Sequence, residues 1–164
     1  MSSSADAGHL FRVLYPRYRI LYVEISLRVF EDDHYVALHD VLGVLPAALP
    51  VEVNFLDNGR GFQFKDHQRP LRGITTWHEW TLDILKLPVI AQYSPFIFET
   101  IIDNAPAIGK YAHFEYELHY FQQETDVYRL LEGSNIGPRF ISHLIEDKRG
   151  VGIAVEKIVA RRAR

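Results

Sequence analysis

Cysteine is absent from all 164 residues, which excludes disulfides, thiolate metal sites, iron–sulfur clusters and thiol nucleophiles, and leaves His, Asp and Glu as metal-ligating side chains. An excess of either charge is missing too. The 18 Lys+Arg and 21 Asp+Glu leave a formal net charge of -3, without the basic surface that a general nucleic-acid binder needs. No stretch approaches the ~20 apolar residues of a membrane span, and the opening MSSSADAG lacks the basic and apolar regions of a secretion signal. The expectation is a cytoplasmic protein whose partners are neither nucleic acid nor membrane. Glycine is missing between Gly73 and Gly109, so no glycine-rich loop offers backbone N–H groups to a phosphate there. What the chain has in quantity is apolar and aromatic: 48% apolar residues, with 10 Phe and 9 Tyr. That is enough to build a core of ordinary size, and it suits a strand-rich protein with either packed rings or an aromatic-lined cavity.

Alternation of Leu21, Val23, Ile25, Leu27 and Val29 with Tyr22, Glu24, Ser26 and Arg28 predicts a half-buried strand over 18–30. Residues 32–50, punctuated by Gly43, Pro46 and Pro50, read as a connection. Runs at 51–56 and 61–65 flank Asp57-Asn58-Gly59-Arg60, and Asn-Gly supplies the positive φ values that a tight hairpin demands. Strands are expected at 77–87 and 96–103, followed by a turn at Asp103-Asn104-Ala105-Pro106 and a short strand over 107–114. The spacing of Leu118, Phe121, Val127, Tyr128, Leu130 and Leu131 predicts the main helix over 115–132, with Gly133 as its C-cap. Strands at 138–146 and 151–158 complete the chain. The fold class expected is α+β: one domain, with a strand-rich antiparallel sheet that curls, barrel-like, beside one helix. Its parts are a strand-rich stretch, 1–104, and a more distinctive one, 105–164.

The order strand, helix, strand, strand in that last part resembles the small lobe of protein and aminoglycoside kinases, and most closely a group of kinase-like proteins of filamentous fungi. Ala107-Ile108-Gly109-Lys110 is similar to the strand that ends in the nucleotide lysine. The run Glu124-Thr125-Asp126-Val127-Tyr128-Arg129 is similar to the helix carrying its glutamate partner, and Ile136-Gly137-Pro138-Arg139-Phe140 with Gly152-Ile153-Ala154-Val155 to the hairpin before the hinge. Helix geometry bears on the comparison independently. Phe121, Glu124, Tyr128 and Leu131 are spaced 3, 4 and 3 apart and share a face, so Glu124 points with the buried stripe and wants a cation, for which Lys110 is the natural candidate. In a kinase such a pair positions the lysine against the nucleotide phosphates. The plainer alternative has Glu124 at the stripe's edge in water and Lys110 snorkelling from a strand end. The resemblance also implies a truncation at the hinge. The aspartate and magnesium-holding side chains of a kinase follow the hinge, and the Gly-rich loop is absent, so phosphoryl transfer is not expected.

Other constellations carry weaker chemistry. His34 and His39, with Asp32, Asp33 and Asp40, have the donor types of a metal site, but they fall in a stretch read as a loop and their spacing lacks the intervening glutamate of a helical zinc pair, so no metal is assigned. His113 and His119 lie six apart and do not share a helical face. His78 and Glu79, between Trp77 and Trp80, are either an acid/base pair in an aromatic pocket or the wet side of a strand whose indoles anchor the core. No Gly-x-Ser-x-Gly elbow is present.

Two functions of different class follow. The first is a non-catalytic, kinase-like small-lobe module that binds a hydrophobic small molecule or a partner protein, or self-associates. The second is a small cofactor-independent enzyme of isomerase, cyclase or dehydratase type. Its pocket would be lined by Tyr22, Trp77, Trp80, Tyr93, Phe96 and Phe98, with His78 and Glu79, then Lys110 and Glu124, as acid/base groups. Neither implies a cofactor.

Overall fold

The computed structural model describes residues 9–15, 19–25, 52–57, 62–66 and 71–158. The chain divides into two compact units, Met1–Pro70 and Leu71–Arg164. In the first, strands β1 (His9–Tyr15), β2 (Arg19–Ile25), β3 (Glu52–Asp57) and β4 (Phe62–Asp66) form a sheet in the order β1-β2-β3-β4. The hairpin expected around Asn58-Gly59 is present as the antiparallel β3/β4 pair, with Asp57 opposite Phe62. Strand β1 was not expected from the sequence. Tyr22 is buried in β2.

The second unit holds β5 (Thr81–Asp83), β6 (Ala91–Ser94), β7 (Ile97–Ile102), β8 (Ala105–Tyr111), helix α1 (Leu118–Leu130), β9 (Phe140–Glu146) and β10 (Arg149–Glu156). Its sheet runs β5-β9-β10-β8-β7-β6, so the α+β class holds, with one main helix among the described residues. Two refinements apply. The sheet is mixed, because β5 lies parallel to β9, as β2 does to β3 in the first unit. It is also open rather than barrel-like: β5 has three residues, too few for a closing ladder, and β6 is flanked by Pro88 and Pro95, which have no N–H to give one.

Tight turns set the register. Asp103 and Asn104 at φ 50° and 61°, and Asp147 and Lys148 at φ 46° and 68°, make the two-residue connections β7/β8 and β9/β10 whose twist matches the strands. Alternate residues of β8 and β10 feed two buried clusters. Phe98, Ile102, Ala107, Leu144, Val151 and Ala154 pack with Ile84; Ala112, Ile153 and Val155 pack with Leu118 and Phe121 of α1. Phe98 and Gly109 are cross-strand partners, and a Cβ on Gly109 would stand 2.3 Å from the Phe98 ring, so the absent side chain is what lets the ring lie flat on β8.

The helix expected over 115–132 is a 3-10 turn, Glu115–Glu117, leading into α1. Glu117 Oε2 accepts the N–H groups of His113 (2.8 Å) and Phe114 (3.0 Å), and Gly133 at φ 76° follows the C-terminal end. The strand expected over 77–87 shrinks to β5. Trp77 and His78 give their N–H groups to the His143 ring instead of a ladder, and after β5 Asp83 accepts the Leu85 N–H and starts a 3-10 turn at Ile84–Lys86. No helix among the described residues is long and apolar enough to cross a membrane.

Candidate functional site

Lys110 lies on β8, opposite Ile97 of β7 and Ile153 of β10, so pairing on both sides fixes its backbone. Glu124 stands in the second turn of α1, between Phe121 and Tyr128, whose packing turns that stripe toward the sheet. The Lys110 Nζ and the Glu124 Oε1 meet at 2.5 Å, with the side chains 26% and 31% exposed. The pairing inferred from helix geometry is therefore present. At that exposure it contributes about 1 kcal/mol or less, so it positions charge more than it stabilises the fold. The neighbouring Tyr128 hydroxyl is pushed above its ordinary pKa, first by burial, with Lys110 opposing and Glu124 adding. It stays protonated beside the pair.

The β6/β7 turn approaches the same strand. Phe96 C=O accepts the Tyr111 N–H at 3.0 Å, and Pro95 C=O accepts the His113 Nε2–H at 2.7 Å. Pro95 has no N–H, and Phe96 gives its own to Ser94 Oγ at 3.2 Å. A phosphate lying against this turn would find both of these positions without a donor.

His78 and Glu79 are adjacent in sequence, but no hydrogen bond or ion pair joins them among the described residues. His78 Nδ1 accepts the Trp80 N–H at 3.1 Å, and its ring lies 5.3 Å from that of Phe140; Glu79 is exposed. The six aromatic residues scatter. Trp77 is half-buried and ties its segment to α1 through Nε1–H donated to Thr125 Oγ1 at 3.0 Å. Phe98 is core, Trp80 and Phe96 are exposed, and Tyr22 belongs to the first unit. Tyr93, also exposed, donates its hydroxyl hydrogen to Glu99, which pairs in turn with Lys157.

Two cavities flank the C-terminal half of α1. The larger, about 530 Å³, is bounded by His78, Tyr128, Glu132, Arg139, Phe140 and Glu156, together with the loop after the helix. The other, about 440 Å³, touches Glu124, Val127 and Tyr128. None of the six rings proposed from sequence lines either one.

No family model, no curated protein and no solved structure matches this chain. Function must be read from its own geometry.

Sequence reasoning passed over His143. It is fully buried on β9, and its Nε2 accepts N–H groups from Trp77 (3.0 Å) and His78 (3.3 Å), which puts the ring proton on Nδ1, where no partner is found among the described residues. Burial, and then the charge of His78, push its pKa down to about 4. The ring is a neutral structural acceptor that holds the 77–78 segment against the sheet. Its signal in the sequence is slight: one imidazole inside an apolar strand. Among the described residues no three His, Asp or Glu side chains gather to hold a metal ion. The cluster of His34 and His39 with Asp32, Asp33 and Asp40 lies outside the described residues.

Proposed function

We propose that the second unit works as a non-catalytic, kinase-like small-lobe module, which binds a small molecule or a partner protein and does not move phosphate. The observation that carries this reading is the ion pair between Lys110 on a central strand and Glu124 on the one long helix, the pairing by which a kinase lobe presents its lysine. The β6/β7 turn argues for binding without transfer, because a proline and an internally spent N–H stand where backbone donors would be needed. Exposed Tyr116, Tyr120, Val127 and Leu130 on and just before α1 supply apolar surface for a partner.

The alternative of a small enzyme draws on one observation, the contact of His78 with the larger cavity. The lining there is mixed, with three charged side chains, rather than the dry aromatic wall that such chemistry requires. Purified full-length chain should show no ATP hydrolysis above a no-protein blank. Lys110→Met should keep the fold while abolishing any melting-temperature rise given by ATP with magnesium, or any complex seen by light scattering. Magnesium-dependent turnover of ATP that Lys110→Met removes would overturn the reading. So would a clean monomer that no nucleotide, hydrophobic metabolite or partner shifts.

A further inference from the structure

The larger cavity carries a second, separate inference that does not depend on the likeness to a kinase lobe. We infer that it is a binding site for a small organic cation, an ammonium or guanidinium group borne on an apolar body. It is an open cleft, and its volume of about 530 Å³ is enough to seat a metabolite-sized ligand. One wall is aromatic: the rings of Tyr128 and Phe140 are 5.9 Å apart, and those of His78 and Phe140 5.3 Å apart. Ring faces attract cations through their quadrupole and apolar bodies through burial.

Charge in the lining has one sign in excess. Glu132 and Glu156 line the cavity, and neither is in a salt bridge among the described residues; Arg139 is the one cation in the lining. After Arg139 is balanced, one carboxylate remains. The C-terminal end of α1 opens onto the same space, with its capping residue Leu131 in the lining, and the carbonyls at that end add partial negative charge. His78 Nδ1 is already an acceptor for the Trp80 N–H at 3.1 Å, so that nitrogen is engaged within its own segment. An anionic ligand meets two carboxylates and a helix C-terminus against the one Arg139; a cationic one meets the excess counter-charge and an aromatic wall.

Gly137 lines this cavity, and a Cβ placed on it meets nothing within 4 Å; its φ is outside the left-handed region. A side chain there adds bulk at the border of the cavity without distorting the backbone, which gives a test of the cavity apart from the fold. The probes are three molecules of one shape: 2-phenylethylamine, 2-phenylethanol and phenylacetate, titrated into the full chain at pH 8 by calorimetry or ligand-observed NMR. The amine should bind about tenfold more tightly than the alcohol, and the carboxylate should not bind. Glu156→Gln should weaken the amine several-fold and leave the alcohol unchanged. Gly137→Phe, with circular dichroism and melting temperature like those of the natural chain, should abolish binding of both. The inference falls if the amine binds no better than the carboxylate, if no probe binds, or if amine binding survives Gly137→Phe. It also falls if Glu156→Gln weakens amine and alcohol alike.

Discussion

Acidification should loosen the second unit through one side chain. His143 is neutral when folded, with a pKa near 4 against the ordinary 6.5, because burial and the neighbouring His78 both disfavour its charge. Above pH 6.5 the ring is neutral in folded and unfolded chains, and its titration does not affect stability. As pH falls from 6.5 toward 4 the unfolded chain takes up a proton that the folded chain refuses, so stability drops, levelling off below 4. The shift corresponds to about 3 kcal/mol over the whole window, of which about 2 kcal/mol is lost by pH 5. Trp77 and Trp80, the only two tryptophans, both belong to this unit, so urea unfolding followed by tryptophan fluorescence reports on it alone. His143→Gln keeps an oxygen acceptor for the Trp77 and His78 N–H groups but cannot ionise. It should be less stable at pH 8 by about 1–2 kcal/mol and should show a smaller loss between pH 8 and pH 5 than the natural chain. Parallel pH dependences in the two proteins would refute the assignment, as would an NMR titration placing the His143 ring near 6.5.

Two further substitutions test the packing. Gly152→Ala would put a Cβ 2.0 Å from the Lys110 carbonyl oxygen and 2.6 Å from the Tyr111 Cα, so β10 must move off β8. Urea midpoints should report a loss of about 3 kcal/mol or more, and a loss under 1 kcal/mol would show that the strands yield easily. Glu117→Ala strips the carboxylate that accepts the His113 and Phe114 N–H groups, and should cost about 1–2 kcal/mol, seen as weaker hydrogen-exchange protection in the first turns of α1.

The parts legible in the sequence are those written in a few adjacent residues. Asn-Gly between two apolar runs announced the β3/β4 pairing, and Asp103-Asn104 announced the β7/β8 turn, where both residues take positive φ and leave the chain few other paths. The face shared by Phe121, Glu124 and Tyr128 offered Glu124 to Lys110 as one of two readings, and packing of that stripe on the sheet is what selected it. The strand expected over 77–87 went astray for a complementary reason. Trp80, Leu82 and Ile84 alternate properly, but the N–H groups of Trp77 and His78 found a partner 65 or 66 residues away, and nothing local records that competition.

By itself, then, the amino-acid order determined the α+β class, the placing of the helix and of the Asp103-Asn104 turn, and the helical face that carries Glu124, since backbone dihedral preference and hydrophobic periodicity act over a handful of residues. Only the tertiary structure decided that the sheet is open and mixed, that His143 is sealed and neutral, and that Glu132, Glu156, Tyr128 and Phe140 border one cavity. Those outcomes depend on which distant surfaces exclude water together, a property of the packed chain that no short stretch of it contains.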